Sequence, residues 1–367
     1  MRIYSKLVLF VFLVLFIYFL FYFNDNLITK SETEQKLQQK SQDMFINVAV
    51  VVCGTERVDE SLVMMKSALL FSTKNTSINF VIVTEPKLKE LFEAKIENLK
   101  DFAKFSFEIF DLKFPDDDKE TWLKLFKPCA SQRLFLPSLL PHLDSLIYVD
   151  CDVIFLSSPD LAYLHFKSFE HSQISAMASE SENFNTGWYT RFARHPFYQP
   201  FGVNSGVMLM NLTRMRNVNF EGKIQPIYQK YKNKLAWGDQ DILNIYFNEH
   251  PHEMHLMKCE YNYRPDHCMY TSQCDVSSGV KIMHGNRGYF HKEGKQRIFR
   301  EFYKAIEEYK PPDNPCSHIV KAIEEQVIVS DTSNCNELID EFLYNPKNLF
   351  CKNEIENQNE IFLREAE

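Results

Sequence analysis

Ten residues in the middle of the chain, Leu146 to Phe155 (LIYVDCDVIF), form a β-branched and aromatic run with two carboxylates at its centre. Such a run reads as a buried strand. An unpaired buried carboxylate is costly, so a cationic group must compensate Asp150 and Asp152. Side chains alternate faces along a strand, which points Asp150 and Asp152 one way and Cys151 the other. Two oxygen donors side by side at a strand end suit a hard divalent cation. The chain must therefore build a sheet that carries a metal-dependent site on one of its inner strands.

The 367 residues, 45% of them hydrophobic, suffice for one or two domains. A formal net charge of -8 supplies no basic field for phosphates, which excludes nucleic acid as the partner. Leu7 to Phe23 are unbroken apolar or aromatic residues behind Arg2 and Lys6, and Asn24-Asp25-Asn26 follows with no small-residue cleavage site. That pattern fits a short uncleaved signal anchor better than a cleaved signal peptide. With positive charge ahead of the span, residues 1–6 stay cytoplasmic and the remainder is luminal, a single-pass type II arrangement. Residues 24–43, rich in Gln, Lys, Glu and Ser, read as a solvated stem. Residues 44–310 read as one globular domain and 311–367 as a cysteine-containing C-terminal extension, a lassoing tail. A short aromatic span suits the thinner membranes of the early secretory pathway.

Nine cysteines agree with a luminal setting. Cys259, Cys268 and Cys274 cluster in a loop-like stretch, and Cys316, Cys335 and Cys351 fall in the tail; disulfides are expected there, with connectivity open and the odd count leaving at least one free thiol or an intermolecular bond. No paired CxxC supports zinc. Cys53 and Cys151 lie in apolar strands and read as core thiols. Asn75-Thr76-Ser77 and Asn211-Leu212-Thr213 are glycosylation sequons for a luminal chain, although Asn211 ends an apolar strand.

Beyond the stem, strands and helices alternate. Strand Asn47–Cys53 precedes a helix Asp59–Ser72 capped by Asp59; strand Ile78–Thr84 precedes a charged helix from Pro86 through Lys100. Strand Phe105–Leu112 and helix Pro128–Leu140 lead to the acidic strand. This order predicts an α/β fold with a mixed, mostly parallel, Rossmann-like sheet flanked by helices and ligands at the carboxyl ends of its strands. Neither GxGxxG nor GxxxxGK[ST] occurs, so the common dinucleotide and P-loop readings fail. Further on, Ser175–Ser179, Gly202–Asn211 and Lys281–His284 read as strands and Gly238–His250 as a helix. Gly294–Tyr309 reads as a helix with Ile298, Phe299, Phe302, Tyr303 and Ile306 on one face.

Three DxD pairs occur. Asp116/Asp118 lie in a Pro-Asp-Asp-Asp-Lys turn, and only Asp150/Asp152 lie in an apolar strand. Asp239/Asp241 open a helix in WGDQD, where capping competes with binding of a sugar hydroxyl. His284, at a strand end, is a structural imidazole or a ligand; the glycines around it allow backbone near a ligand, and Arg287 can meet phosphate. Two carboxylates and an imidazole suit manganese over calcium. Arg133 stands charged among apolar neighbours, either as the partner of an acid such as Asp150 or facing a diphosphate.

Seven stretches taken in order carry a family resemblance: SQRLFLP (Ser131–Pro137), YVDCD (Tyr148–Asp152), GWYTRFARHP (Gly187–Pro196), VNSGVMLMN (Val203–Asn211), WGDQD (Trp237–Asp241), YNYRPDHCMY (Tyr261–Tyr270) and HGNRG (His284–Gly288). From Asn47 to Tyr309 the chain resembles the glycogenin-like retaining glycosyltransferases of the GT-A fold. The first, second and fifth stretches match that broad family, and the third, sixth and seventh its glucoside xylosyltransferase branch. The resemblance implies a luminal enzyme of the endoplasmic reticulum or Golgi, with a single catalytic domain. It would transfer xylose from UDP-xylose to O-linked glucose on epidermal-growth-factor-like (EGF-like) repeats, with retention and an alpha-1,3 linkage.

By the same resemblance Asp150, Asp152 and His284 ligate manganese at the UDP diphosphate, and Arg133 contacts the donor. The Val50–Gly54 strand end, with Val52, Cys53 and Gly54, holds uridine; Cys151, Gly206, Gly285, Asn286 and Arg287 complete the nucleotide side. Asn204, Ser205, Asp239 and Gln240 line the donor sugar, and Asp239 and Gln240 join Asp150 and Asp152 as catalytic candidates. The family pattern has a lysine shortly after the ligand histidine. Here Gly288-Tyr289-Phe290 stands there, leaving Arg287 or Lys292 to substitute. Trp188, Tyr189, Arg191 and His195 are acceptor-contact candidates, or members of a structural loop. A front-face displacement and a covalent intermediate on Asp239 or Asp241 both stay open. So do transfer from UDP-glucose or UDP-galactose, a metal-dependent phosphohydrolase, and a non-catalytic membrane-anchored glycan-binding protein.

Overall fold

The computed structural model describes residues 44–352 apart from 117–118, 126, 128, 271–272, 294 and 329–332. The expected cytoplasmic tail, anchor and stem, Asp118, and the last part of the extension lie outside the described residues. Among the described residues no helix is long and apolar enough to cross a membrane.

The described residues form nine strands: β1 (Met44–Val52), β2 (Thr76–Thr84), β3 (Phe105–Asp111), β4 (Ser145–Val149), β5 (Val153–Phe155), β6 (Ser175–Ser179), β7 (Val203–Asn211), β8 (Met254–Met257) and β9 (Ile282–His284). Seven of them make one sheet in the order β3-β2-β1-β4-β7-β6-β8. β1 is parallel to both β2 and β4, with Val48 level with Phe80 and Ile147, while β7 runs antiparallel to β4 and β6. The sheet is mixed and mostly parallel, as the alternation of elements predicts. β1 and β2 are buried from their third residue to their last, so unbroken apolar runs, without alternation, specify the inner strands. Helices Thr55–Leu70 and Lys89–Ile96 cover one face with Met64, Met65 and Phe92. Helices Phe220–Tyr231 and Asp239–Glu249 cover the other with Ile224, Ile242 and Tyr246.

Several local expectations change. The acidic run is not one strand: β4 stops at Val149, and Val153–Phe155 pairs antiparallel with β9 in a separate two-stranded sheet. Asp150-Cys151-Asp152 is the link between the sheets, held by Asp150 N–H on the Gly206 carbonyl (2.9 Å) and Gly285 N–H on the Asp152 carbonyl (2.8 Å). The first helix starts at Thr55, where Gly54 turns the chain with φ +89°, and Asp59 lies inside it, paired with Lys95. The charged helix after Pro86 is only Lys89–Ile96 between two 3-10 turns, and the stretch around Arg133 is a 3-10 turn, Ala130–Phe135. Helix Phe220–Tyr231 and strand β8 had no strong sequence signal.

The expected face of the late helix, now Arg297–Glu308, is buried throughout. It packs against Ile319, Val320, Phe342 and Leu343, so the described residues beyond 311 share one apolar cluster with that helix. Four disulfides link Cys53–Cys129, Cys259–Cys274, Cys268–Cys335 and Cys316–Cys351, and Cys151 is the free thiol. Cys53 is therefore not a core thiol. It stands where β1 ends, and the chain returning through residue 129 brings its partner alongside. Asn211 caps the following helix, its Oδ1 accepting the Arg214 N–H at 2.9 Å. Asn75 is half-buried in the turn before β2.

Candidate functional site

The carboxyl ends of β1, β4 and β6, the start of β7 and the end of β9 meet around one cavity of about 830 Å³. Antiparallel β7 enters the sheet at the end where parallel β4 leaves it, because Val149 pairs with Val207. That register sets Asn204, Ser205 and Gly206 beside Asp150. β5 and β9 bring the third acidic-site member across, since Val153 is paired with His284.

Asp150, Asp152 and His284 each offer one ligand atom, all within 4.8 Å of one another. His284 Nε2 lies 3.3 Å from Asp152 Oδ1 and 3.9 Å from Asp150 Oδ2. Burial alone would raise the Asp152 carboxyl. The neighbouring imidazole, helped at longer range by Lys127 and Arg57, outweighs it and holds that group at about 2. Two carboxylate oxygens and an imidazole nitrogen aimed at one point fit a divalent cation.

Arg133 supplies the compensating charge that the sequence demands. Its guanidinium donates to Asp150 Oδ1 (2.8 Å), the Ser205 carbonyl (2.6 Å) and Ser205 Oγ (3.1 Å), and sits 4.5 Å over the Tyr148 ring. Nε lies 2.7 Å from Asp239 Oδ2, but its N–H is aligned on the Ala130 carbonyl (3.3 Å), so the pull on Asp239 is coulombic. Burial opposes the charge on Arg133, and Asp150 and Asp239 more than restore it. Tyr148 also donates to Asp150 Oδ1 (3.0 Å), which leaves Oδ2 as the oxygen facing His284. Arg133 is thus a buried clamp on two carboxylates. Asp239 is itself buried, and burial pushes its carboxyl up.

Gln240 lines the cavity, its Oε1 accepting from Ser205 N–H (3.1 Å) and its Nε2 reaching the Tyr189 hydroxyl (3.3 Å). Asp241 faces away from the cavity. Its Oδ2 accepts the Ala236 and Trp237 N–H groups (2.6 Å each), and its Oδ1 accepts from the Tyr189 hydroxyl (2.9 Å). His195 Nε2 lies 3.3 Å from that same oxygen. Burial works against a charged His195, but Asp241 and the Pro196 carbonyl prevail and raise its pKa.

The four acceptor candidates therefore separate. Trp188 and Arg191 line the cavity, whereas Tyr189 and His195 are buried behind its wall and hold Asp241 and Gln240. Of the nucleotide-side candidates, Cys53, Cys151, Asn204, Ser205, Asn286 and Arg287 line the cavity; Val52, Gly54, Gly206 and Gly285 stand behind it. Lys292 is not in the wall, and Arg287 is paired with Asp266. Arg57 and Lys127 line the cavity and act on Asp152. Neither had a sequence signal beyond following the β1 end or a proline-bounded loop. The cavity lining also includes Glu180, Glu182, Asp266 and His267, unforeseen as site residues, with burial raising Glu180 to about 7 despite nearby Arg264.

The profile described as Glycosyl transferase family 8 matches residues 48–286. The chain is 45% identical over 325 residues to glucoside xylosyltransferase 2 of Xenopus laevis, covering 84% of this chain and 76% of that protein. It is 41% identical over 311 residues to glucoside xylosyltransferase 1 of Homo sapiens, covering 81% and 70% respectively. Among solved structures, mouse xyloside xylosyltransferase 1 in its apo form aligns with a TM-score of 0.50 at 20% identity, over 66% of this chain and 98% of that one; this likeness concerns the fold.

Proposed function

The chain belongs to glycosyl transferase family 8, with a GT-A fold, and from that premise we propose that it transfers xylose from UDP-xylose to O-linked glucose on EGF-like repeats, with retention and an alpha-1,3 linkage. The observation that carries this reading is the convergence of Asp150, Asp152 and His284 at the cavity, in a chain so close to glucoside xylosyltransferases. The proposal includes a single-pass type II anchor at residues 7–23 and a luminal stem at 24–43. The catalytic domain, 44–310, and the extension, 311–367, then face the lumen of the endoplasmic reticulum or Golgi. Asn75 is the better glycosylation site of the two, because the amide oxygen of Asn211 is engaged in a helix cap.

Asp150, Asp152 and His284 would hold manganese, which when bound neutralises the diphosphate and orients it as a Lewis acid. Arg133 holds one oxygen of Asp150 and leaves the other turned toward His284. Arg57 and Lys127, in the wall near Asp152, take the phosphate-facing role that the family pattern gives to a lysine after the histidine. Asn204, Ser205 and Gln240 present their polar groups to the donor sugar. Asp239 is occupied by Arg133 and Asp241 by two backbone amides, so neither is poised as a nucleophile. A front-face displacement needs none: the acceptor hydroxyl attacks from the leaving-group side, and its proton passes to the departing phosphate oxygen.

The test incubates the full-length chain with manganese, a panel of UDP-sugars and a glucosylated EGF-like repeat, and weighs the product. A gain of one pentose from UDP-xylose alone is expected. A hexose gain refutes the donor, and UDP release indifferent to acceptor points to hydrolysis. Asp150→Asn and Asp152→Asn are expected to abolish transfer in folded protein.

A further inference from the structure

Asn262 lies in the YNYRP stretch, on the turn Cys259–Asn262 that follows β8, and is fully buried. It touches neither the cavity nor the acidic pair, yet it is hydrogen-bonded to His284 on the side away from them. Every bond in its surroundings is determined by an obligatory donor or acceptor. Gly206 N–H can only donate, and it donates to Asn204 Oδ1 at 3.0 Å. The Asn262 amide nitrogen faces two acceptors, that same Asn204 Oδ1 at 2.9 Å and the Asn204 carbonyl at 3.3 Å, and so must be the NH₂ end. Asn262 Oδ1 is then the atom 2.9 Å from His284 Nδ1. An amide oxygen cannot donate, so the proton in that bond belongs to Nδ1.

We propose that Asn262 is the positioning residue that keeps the proton on His284 Nδ1 and leaves Nε2 as the ring nitrogen free to ligate. The inference rests on the reading of Asp150, Asp152 and His284 as a divalent-cation site. An imidazole has one proton to place when neutral, and a ligating nitrogen must carry none. Without a fixed acceptor at Nδ1, the ring divides its time between two tautomers and two orientations, and only one of these suits the acidic pair. The chain Gly206, Asn204, Asn262, His284 removes that freedom. It begins at a backbone amide of β7, whose neighbouring carbonyl also holds Asp150 N–H. One segment of β7 thus sets both the first carboxylate and the tautomer of the imidazole.

Two variants separate this role from simple packing. Asn262→Leu removes both the acceptor for His284 and the donor for Asn204. Asn262→Asp keeps the acceptor for His284 and loses the donor. Calorimetric titration of manganese into each full-length protein is expected to show about 10- to 100-fold weaker binding for the leucine variant and near-native or tighter binding for the aspartate variant. Equal losses in both would mean that Asn262 serves only to hold Asn204, and no loss in the leucine variant would mean that it serves neither; either result overturns the proposal. Nitrogen-15 spectra of histidine-labelled, metal-free protein, with His284 assigned by its absence in His284→Gln, decide the point independently of metal. A proton on Nδ1 in the wild type, and mixed tautomers in the leucine variant, are expected. A wild-type Nε2–H tautomer overturns the proposal. If the wild type fails to bind manganese while His284 shows the Nδ1 proton, the metal-site reading falls and the tautomer assignment stands.

Discussion

Gly206→Ala is the smallest change that should disable the site without altering a charge. Gly206 lies in β7 without a positive φ, so alanine introduces no backbone strain of its own. Its Cβ, however, would fall 2.1 Å from His284 Cε1, 2.5 Å from Nδ1 and 3.0 Å from Nε2. Relief requires the ring to retreat by roughly 1 Å. The ring has little freedom to do so, because Nδ1 is bonded to Asn262 and the His284 backbone donates to the Tyr263 carbonyl at 2.8 Å. Overpacking of this kind typically costs about 1–3 kcal/mol of stability. A displacement near 1 Å in a reacting geometry costs about 10²-fold in turnover. The assay pairs xylosyl transfer rates with thermal melts and manganese titration on full-length wild type and variant. A folded Gly206→Ala protein with native turnover and native metal affinity would show that His284 does not act from the position seen here.

Three further outcomes are expected. Arg133→Gln leaves the buried Asp239 and the half-buried Asp150 without their cation and should destabilise the fold by about 3 kcal/mol in chemical denaturation; Arg133→Lys, with a single ammonium in place of the fork, should not restore it. Glu180 is held neutral to about 7 in the folded protein, against 4.5 ordinarily, so the folded state binds its proton more tightly than the unfolded state. Stability contributed by that proton is complete below about 4.5 and declines as pH rises to about 7, by up to about 3 kcal/mol, and Glu180→Gln should flatten this slope in pH-resolved melts. Replacing Cys53 and Cys129 together by serine opens a loop spanning 76 residues and should lower stability by about 4 kcal/mol, read as a shift in the denaturation midpoint relative to oxidised wild type.

Elements whose residues are specified by local patterning were legible in the chain. The unbroken apolar runs of β1 and β2, the strand Ser175–Ser179 and the late amphipathic helix stand where periodicity puts them. Asp150 and Asp152 were legible because carboxylates inside an apolar run violate the pattern around them. They converge through the turn that links two sheets, not through alternation along one strand. The break depends on β9, more than a hundred residues later, and no local signal reports it. Cys53 looked like a core thiol because its partner, Cys129, approaches only after the chain has passed through β2 and β3. Tyr189 and His195 read equally as acceptor contacts, since aromatic and cationic groups suit ligands, or as members of a structural loop. They are buried because Asp241 takes up their polar atoms.

By itself the sequence determined the fold class, the acidic pair and the need for a positive partner, because burial of apolar runs and the cost of a buried charge are properties of residue types. The partners were a tertiary decision. Arg133 meets Asp150, Asn262 meets His284, and Gly206 admits the imidazole only where β4, β7 and β9 come together. Hydrogen bonds and ion pairs act over a few ångströms, whereas Arg133 and Asp150 lie 17 positions apart in the chain, Asn262 and His284 22, and Arg133 and Ser205 72.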